Sequence, residues 1–497
     1  MTDRPNILFI MCDQLRFDCI AALGNAKIST PNIDRLVDRG VAFTNAYTSC
    51  PVCVAARYTI QTGREPHTTC SFSNAVPEAL DGLPDRMEER CGPYLARYLG
   101  RLGYRTFGVG KFHTTPDWQE NLGFDKMLYA EELWGSPDER RKDAYAAFIA
   151  AEHPEYAHIE QLQGERTEMY YMPQTSAFPK EWTSEGFVAD RAVELINEKS
   201  PKPWFGFVSF IAPHPPFAPP VPFNRMYNPD RMDSPVCGDP ATDHMDEFLP
   251  WMNHLIWADE INGFLARVLK SRYYGEISYV DWCTGKLLDA VEASPDPENT
   301  LICFFSDHGD HLGDHHSWQK ESWFEQAAHV PFLVSWPKRY PGRATNGGLV
   351  SLTDLFAIAS AAAGSLQTRD GMDVLGILDG GAPPREFLFA CYGEPGTPQF
   401  KFMVRKGPYK YIYLPNGGRR QLFDLGGDPG ELRELADSLP GVVSELHSQA
   451  YGYANRPGLY GAMKDGDFKA FPYTGRKSGR INQMANDLGV RGFSFLP

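Results

Sequence analysis

Short apolar runs recur along the chain and alternate with segments of helical periodicity. Residues 6–11 are apolar on both sides of an extended chain, which is the pattern of a strand buried inside a parallel sheet. Three further runs, at 104–110, 204–211 and 300–306, have the length and the composition of strands. The sequence therefore predicts at least these four strands in one sheet.

Helices are predicted to begin at Pro31 and Pro93 and to span residues 184–199 and 278–293. The first has Thr30 as an N-cap before its proline, and Gly40 is placed to end it. Strands that alternate with helices are typical of an α/β fold. We therefore expect a mostly parallel central sheet sandwiched by helices.

The pattern changes after residue 380, where the pieces become short and are separated by glycine and proline. Strand-like pieces follow at 386–392, 401–405, 409–414 and 421–425. They predict a small antiparallel sheet, so we expect an α/β domain at 1–380 and a C-terminal unit with a polar tail at 381–497. Residues 130–180 lack a clear period and are interpreted as an insertion, either a lid or a contact surface.

Composition and charge exclude some classes of partner. Of the 497 residues, 42% are apolar and 22% are charged, an ordinary balance for a folded protein. Lysine and arginine total 48 against 63 aspartates and glutamates, which gives a net charge of −15. A nucleic-acid binder should present a basic face, so no nucleic-acid partner is expected. An anionic substrate requires a local cluster of lysine, arginine or metal that overrides the global field.

Neither a membrane span nor a disulfide scaffold is indicated. No apolar run reaches the roughly 18 residues that cross a bilayer, so no membrane partner is expected. The first apolar segment is too short for a signal peptide and lacks a basic flank, which favours a cytoplasmic location. The ten cysteines have irregular spacings and are expected to be free, mostly buried thiols.

Ionisable residues follow the ends of the four predicted strands. They are Asp13 after the first, Lys111 and His113 after the second, His214 after the third, and Asp307 and His308 after the fourth. In open parallel sheets, ligands bind beyond the carboxyl ends of strands. Four such ends in one chain predict a single shared site.

Three of these residues form a candidate cation site. The carboxylates of Asp13 and Asp307 suit Ca²⁺ or Mg²⁺, and the imidazole of His308 extends the choice to Mn²⁺ or Zn²⁺. The histidine-rich stretch continues with His311, His315 and His316. Cysteine or glutamate at zinc-site spacing is missing there, so we interpret these three as pocket wall or as support for the metal ligands.

A cysteine lies where a helix is expected to begin. Residues 55–61 are compatible with a helix that Gly63 ends, which places Cys53 at its N-terminus. Backbone N–H groups and the helix dipole favour negative charge on a ligand or nucleophile there. Cys50 and Cys53 have the spacing of a redox or zinc motif, but no second pair accompanies them.

Taken in order, these motifs resemble those of the formylglycine-dependent sulfatases of the alkaline phosphatase superfamily. The first matches are 5–13, 30–36, Cys53-x-Ala55-x-Arg57 with Thr62-Gly63, and Gly110-Lys111-x-His113. The later matches are 213–217, 306–309, Lys320 and 422–431. Each string is short, but the ordered set spans nearly the whole chain and is specific.

The resemblance implies a sulfate monoester hydrolase. A formylglycine-generating maturation enzyme would oxidise Cys53, and one hydroxyl of the aldehyde hydrate would attack sulfur. The resulting covalent sulfate ester would be broken by the second hydroxyl, which releases inorganic sulfate. Asp13, Asp307, His308 and modified Cys53 would hold one divalent cation, with Ca²⁺ expected first and Mn²⁺, Mg²⁺ or Zn²⁺ as alternatives. The cation would lower the pKa of the attacking hydroxyl.

The resemblance also implies roles for the other matched residues. Lys111 and Lys320 would contact the sulfate oxygens and offset charge in the transition state. Arg57 would orient the formylglycine and support the metal carboxylates. His113 is assigned to proton transfer at the diol and His214 to protonation of the leaving alcohol, and these two roles can be exchanged.

Two departures from the family pattern keep alternatives open. Many sulfatases have a second aspartate where this chain has Gln14, whose amide oxygen is either a neutral ligand or a support for one. The Asp-Gln pair also occurs in phosphonate monoester hydrolases and phosphodiesterases of the superfamily, although Lys111 favours the sulfatase. Ala55 and Ala56 replace the commoner proline and serine, so conversion of Cys53 depends on the maturation enzyme of the host. An unconverted Cys53 would leave a non-catalytic anion-binding protein.

The substrate is expected to be a sulfate ester of a small molecule or a saccharide. Contacts to its leaving group are expected from 70–78, from the insertion at 130–180 and from the region after Pro216. The tail that begins at Phe471 is a candidate contact between subunits of a homo-oligomer.

Overall fold

The computed structural model describes residues 4–75, 84, 86–114, 121–131, 140, 142–157 and 171–476. Within this part of the chain, the strands of the main sheet are β1 (Asn6–Cys12), β2 (Val41–Tyr47), β3 (Arg105–Gly110), β4 (Lys126–Tyr129), β5 (Trp204–Phe210), β6 (Thr300–Ser306), β7 (Phe332–Ser335) and β8 (Ala344–Ser351). Their order in the sheet is β4-β3-β5-β1-β6-β7-β2-β8. Strand β7 runs antiparallel to β6 and β2, and the other neighbouring pairs are parallel.

Helices cover both faces of this sheet. They are α1 (Pro31–Asp38), α2 (Cys53–Thr62), α3 (Pro66–Thr69), α4 (Met87–Cys91), α5 (Leu95–Arg101), α6 (Ala144–Glu152), α7 (Ser184–Asn197), α8 (Pro240–Asp243), α9 (Phe248–Leu255), α10 (Gly263–Glu292), α11 (Glu325–Ala328), α12 (Asp354–Ala362), α13 (Val374–Leu378) and α14 (Pro440–Ala454). On one face α1 and α7 pack against α10, and on the other α2 packs against α12. The predicted α/β sandwich around a mostly parallel sheet is confirmed.

Strand β1 divides the core into two layers because successive side chains of a strand point to opposite faces. Leu8 and Ile10 pack with α1, α7 and α10, whereas Phe9 packs in the layer of α2 and α12. The ring of Phe9 makes edge contacts with Phe205 on β5 and Phe305 on β6. The buried run at 6–11 is therefore apolar throughout because both of its faces are covered.

The parallel register aligns the carboxyl ends of four strands. Cys12, the last residue of β1, pairs with Phe210 on β5 and with Ser306 on β6. Gly110 at the end of β3 pairs with Ser209. The residues that follow these strands therefore emerge at one edge of the sheet, as the sequence predicts.

The C-terminal strands form a second sheet, which confirms the predicted small antiparallel unit. They are β9 (Leu388–Tyr392), β10 (Lys401–Lys406), β11 (Tyr409–Leu414) and β12 (Arg419–Asp424), in the order β12-β11-β10-β9. One face of this sheet packs on α14, and its other face, with Met403 and Ile412, packs on Tyr47 and Trp323 from the first 380 residues. A two-stranded ribbon of β13 (Met463–Lys464) and β14 (Asp467–Phe468) follows. The division at residue 380 stays a prediction.

Several element boundaries differ from the sequence-based expectation. The helix expected at 278–293 is the second half of α10, which begins at Gly263 after Asn262 caps its N-terminus through the backbone N–H groups of Phe264 and Leu265. Its middle is buried on more than one side, so the polar and apolar residues there do not alternate with a clear helical period. The helix expected from Pro93 begins at Leu95. Strands β2, β4, β7 and β8 are not predicted because their runs are short or polar.

The insertion at 130–180 falls partly outside the described residues. Its described part contains helix α6, which the sequence analysis misses and which Asp143 caps by accepting a hydrogen bond from the backbone of Ala146. The tail after residue 476 also lies outside them, but Phe471 pairs with Asn416 of its own chain. All ten cysteines are free, and all except Cys237 are buried, as expected. None of the described helices combines the length and the apolar character that a membrane span requires.

Candidate active site

Residues from two adjacent strands and one helix meet at the carboxyl edge of the sheet. Asp13 follows β1, and Asp307 and His308 follow β6, which lies beside β1. Cys53 is the first residue of α2, and Gly63 ends that helix in a left-handed conformation with φ 64°. The N-terminus of α2 therefore places Cys53 beside the carboxylates of Asp13 and Asp307.

The four side chains form a compact buried cluster. Their potential ligand atoms all lie within 4.8 Å of one another. The Sγ atom of Cys53 is 3.2 Å from Nε2 of His308 and 3.7 Å from Oδ1 of Asp13. Nε2 of His308 is 3.6 Å from Oδ1 of Asp13 and 3.6 Å from Oδ1 of Asp307. All four side chains are fully buried.

Arg57, one turn after Cys53 on α2, holds both carboxylates from the opposite side. Its Nη2 donates to Oδ2 of Asp13 at 2.9 Å, and its Nε donates to Oδ2 of Asp307 at 3.0 Å. Ser209 on β5 accepts a hydrogen bond from Nη1 at 3.2 Å. Because Arg57 engages the Oδ2 atoms, the two Oδ1 atoms are left turned toward Cys53 and His308.

The charges within the cluster shift its titration. Burial and Asp13 raise the pKa of Asp307. Burial and Cys53 act in the same direction on Asp13, but Lys111 and Arg57 hold the pKa of that carboxyl well below its usual range. Burial would lower the pKa of Arg57, but Asp307 and Asp13 raise it instead. The guanidinium is therefore a fixed positive charge.

Two lysines flank the cluster. Nζ of Lys111 lies 2.7 Å from Oδ2 of Asp13, and Nζ of Lys320 donates to Sγ of Cys53 at 3.1 Å. Both side chains are buried. Burial would raise the pKa of the Cys53 thiol, but Lys320 and His308, followed by Lys111, hold it well below its usual value. The position of residue 53 is therefore one that stabilises negative charge.

The tautomer of His308 is set by its main-chain neighbour. Its Nδ1 donates a hydrogen bond to the carbonyl oxygen of Gly309 at 3.0 Å, since a carbonyl oxygen can only accept. Nε2 then carries the lone pair that faces the cluster. In the protein without a cation, burial opposes the charged imidazole, but Asp307 raises the pKa of His308 above its usual value.

His113 lies beside the cluster on an unusual turn. Its backbone has φ 45°, and Oε1 of Glu131 accepts hydrogen bonds from the backbone N–H groups of Phe112 at 2.6 Å and His113 at 3.0 Å. A side-chain hydrogen bond from His113 contributes to the lowered pKa of Cys53. Glu131 therefore shapes the turn that carries His113.

His214 lies on the loop after β5, close enough to Asp13 for its charge to act on that carboxyl. Its Nδ1 lies 2.7 Å from the carbonyl oxygen of Pro215, and its charge helps to lower the pKa of Asp13. Two buried carboxylates hold its loop, since Glu185 accepts a hydrogen bond from the backbone of Ala212 and Glu276 accepts one from the backbone of Ala218.

The remaining histidines of the motif lie outside the cluster. Nε2 of His311 is 2.7 Å from Oγ of Ser322, and Nδ1 of His315 is 3.0 Å from Oδ1 of Asp243. The side chain of His316 is 38% exposed. In the described part of the chain, the candidate metal cluster contains none of these three.

Sequence reasoning misses two groups that shape the site. Ser209 is one of them: it is a polar residue within an apolar strand, and this contrast could have indicated that the strand passes beside a charged group, here Arg57. Glu131 lies 18 residues after His113 in the chain and has no local signal. Its role depends on the loop that brings it back to the turn.

A buried cluster of two carboxylates, an imidazole and a cysteine lies at the carboxyl edge of a mostly parallel α/β sheet and offers the ligand atoms of a metal site. The sequence model of the Sulfatase family matches residues 5–365, and the chain belongs to this family. It is a sulfuric ester hydrolase. The resemblance drawn from the ordered motifs is confirmed.

Two curated relatives match along most of their length. The chain is 28% identical to an arylsulfatase of Clostridium perfringens over 88% of this chain and 91% of the relative. It is 29% identical to a choline-sulfatase of Rhizobium meliloti over 90% of this chain and 86% of the relative. Among solved structures, the phosphonate monoester hydrolase of Agrobacterium radiobacter shares the fold with a TM-score of 0.72 at 24% identity, over 90% of this chain and 94% of that one.

Proposed function

We propose that the protein hydrolyses a sulfate monoester with residue 53, converted to formylglycine, as the nucleophile and one divalent cation beside it. The observation that carries this proposal is the position of Cys53. Its Sγ lies against His308, Asp13 and Lys320 at 3.2, 3.7 and 3.1 Å, with no water-exposed surface. A side chain at this position has donors and acceptors for an attacking oxygen on both sides.

The donor set fits a divalent cation. Asp13 and Asp307 each direct Oδ1 inward while Arg57 engages Oδ2, and His308 presents Nε2 from the third side. Two carboxylates facing one another in a buried site require positive charge between them. Asp13, Asp307, His308 and modified residue 53 would hold the cation, which supplies Lewis acidity and lowers the pKa of a neighbouring hydroxyl when bound. Hard oxygen ligands favour Ca²⁺, and the imidazole keeps Mn²⁺, Mg²⁺ and Zn²⁺ as alternatives.

The N-terminus of α2 suits the modified residue. Formylglycine supplies a geminal diol, one hydroxyl of which attacks while the other allows release of sulfate. Cys53 begins a ten-residue helix, so backbone N–H groups point toward the charge that develops there. Ala55 and Ala56, which replace the commoner proline and serine, are buried on this helix, and conversion of Cys53 depends on a maturation enzyme that accepts them.

The chain's own cations hold the sulfate group. Lys320 at residue 53 and Lys111 at Asp13 place two ammonium groups around the cluster, where they offset charge on the transferring sulfuryl group. Arg57 fixes the two carboxylates. His113, which contacts Cys53, holds or moves the proton of the diol, and His214 protonates the leaving alcohol.

A second reaction is favoured by one observation. Oε1 of Gln14 accepts a hydrogen bond from Nζ of Lys320 at 2.8 Å, which favours a role as a support for a site residue over a role as a metal ligand. The cluster thus has two carboxylates where a second aspartate would add a third, which leaves it less negative. This composition also suits a phosphonate monoester or phosphodiester as substrate.

Parallel assays separate the two reactions. We expect nitrophenyl sulfate to be hydrolysed with a higher kcat/KM than a nitrophenyl phosphonate monoester, and Cys53→Ala to abolish turnover. Peptide mass spectrometry of residues 49–57 from the native host should show formylglycine. A phosphonate preference of several orders of magnitude would contradict the sulfatase assignment. An intact thiol with no turnover of either ester would favour an anion-binding protein instead.

A further inference from the structure

Gln14 is held at every polar atom. Its backbone N–H donates to Oδ1 of Asp307 at 3.1 Å, and its carbonyl accepts from the hydroxyl of Tyr273 at 2.6 Å. Its side-chain Oε1 accepts from Nζ of Lys320 at 2.8 Å, and its Nε2 donates to Oδ2 of Asp310. These contacts hold a non-glycine residue at φ 69°, where side chains are disfavoured.

The amide of Gln14 has only one orientation that suits its neighbours. An ammonium group donates only, and a carboxylate accepts only. The amide oxygen must therefore face Lys320 and the amide nitrogen must face Asp310. Any group that fixes Asp310 thereby fixes the acceptor of Lys320.

The group that fixes Asp310 is the hydroxyl of Tyr171, a residue of the insertion at 130–180. Its hydroxyl donates to Oδ2 of Asp310 at 2.6 Å, and it lies 3.5 Å from Nε2 of Gln14. The same hydroxyl accepts a hydrogen bond from the backbone N–H of Gln319 at 3.0 Å. Gln319, with φ 74°, immediately precedes Lys320 in the chain.

These contacts close a ring around one lysine. Tyr171 binds the main chain that carries Lys320, and through Asp310 and Gln14 it also reaches the ammonium group at the end of that side chain. The hydroxyl of Tyr171 is thus connected by hydrogen bonds both to the main chain beside Lys320 and to the ammonium group of its side chain. The side chains of all members of the ring are buried.

We propose that Tyr171 is a positioning residue that holds the ammonium of Lys320 against residue 53 through the ring of Asp310 and Gln14. The proposal rests on the proposed function, because the lysine is useful there only if residue 53 attacks an ester. Tyr171 touches no reacting group in this scheme. It acts on the angle and distance at which Lys320 meets the transferring sulfuryl group.

The variant Tyr171→Phe removes only the hydroxyl. Its ring keeps its contacts with Trp318 and Phe217, at centroid distances of 4.8 and 5.5 Å. We expect kcat for nitrophenyl sulfate to fall about tenfold with a smaller change in KM, because a misaligned charge stabilises the transition state less. Tyr104→Phe is the control, since that buried hydroxyl donates to the carbonyl of Pro5 away from the site and its loss should leave kcat unchanged.

A double-mutant cycle distinguishes positioning from general stability. In a Lys320→Ala background, Tyr171→Phe should cause no further loss of kcat, because the group that it positions is gone. A merely structural tyrosine would cost the same factor in both backgrounds. Equal losses in the two backgrounds, or wild-type kcat in Tyr171→Phe, overturn the proposal while sulfate ester hydrolysis by the wild type still stands.

A crystal structure of Tyr171→Phe provides a readout that does not depend on activity. We expect Nζ of Lys320 to leave Oε1 of Gln14 and residue 53. If the lysine stays at both, the positioning role is refuted whether or not the wild type hydrolyses sulfate esters. If the wild type shows no hydrolysis but the lysine moves, the proposed function fails and the positioning role remains.

Discussion

Replacing Arg57 by methionine should destabilise the protein strongly, because the two carboxylates that it joins lie in the interior. The Arg57 side chain is 1% exposed, and those of Asp13 and Asp307 are 0% exposed. Methionine occupies similar space without charge, so the change removes the guanidinium and little packing. Lys111 still pairs with Asp13, so the loss falls chiefly on Asp307.

The size of the effect follows from burial. Removing one partner of a buried ion pair costs about 3–5 kcal/mol, since it leaves an uncompensated charge. Removing one partner of an exposed pair costs about 1 kcal/mol or less. Arg39 provides the matched control, because it pairs with Glu292 and Glu298 at a side chain that is 41% exposed.

Equilibrium unfolding in urea measures both variants. The protein has ten tryptophans whose fluorescence reports unfolding, and EDTA keeps cations out of the cluster. We expect Arg57→Met to lose about 4 kcal/mol and Arg39→Met to lose less than about 1 kcal/mol. A loss for Arg57→Met no larger than that of Arg39→Met would refute the argument that the two carboxylates need a fixed positive charge.

Three other variants or treatments test further features of the structure. Lys111→Ala should lower kcat/KM for nitrophenyl sulfate by about 10²–10³-fold, because it removes a charge from a buried site. A divalent cation at 100 times its dissociation constant should stabilise the wild type by about 2.7 kcal/mol over the chelated protein, whereas Asp307→Asn should respond less. Burial and Asp370 raise the pKa of Glu65 to about 8. The folded protein then binds more protons than the unfolded chain between the usual glutamate pKa and that value, so stability falls as pH rises through this window. Glu65→Gln removes this penalty and should gain about 3 kcal/mol relative to the wild type between pH 5 and pH 8, measured by urea unfolding.

Each of these expectations has a contrary outcome. For Lys111, a rate within threefold of the wild type would show that its charge does not act on the sulfate. For the cation, equal stabilisation of the wild type and Asp307→Asn would place the binding site elsewhere. For Glu65, a stability difference that does not depend on pH would show that this carboxyl does not titrate with a raised pKa.

Local sequence signals determined the elements that carry the site. The two-sided apolar runs at 6–11 and 300–306 became adjacent parallel strands, and their ends delivered Asp13 and Asp307 to one edge. Gly63 ends helix α2 as predicted, and Cys53 is the first residue of that helix. These features depend on residues close together in the chain, so periodicity and capping residues are enough to predict them.

Tertiary structure alone decided how those elements are completed. The sequence left the Gln14 amide as either a metal ligand or a support, and its contact with Lys320, 306 residues away in the chain, favours support. Tyr171 reaches Asp310 across 139 residues from an insertion that has no clear pattern. Such contacts join groups whose separation in the chain carries no information about their separation in space. They arise only when the sheet and the loops around it close on one another.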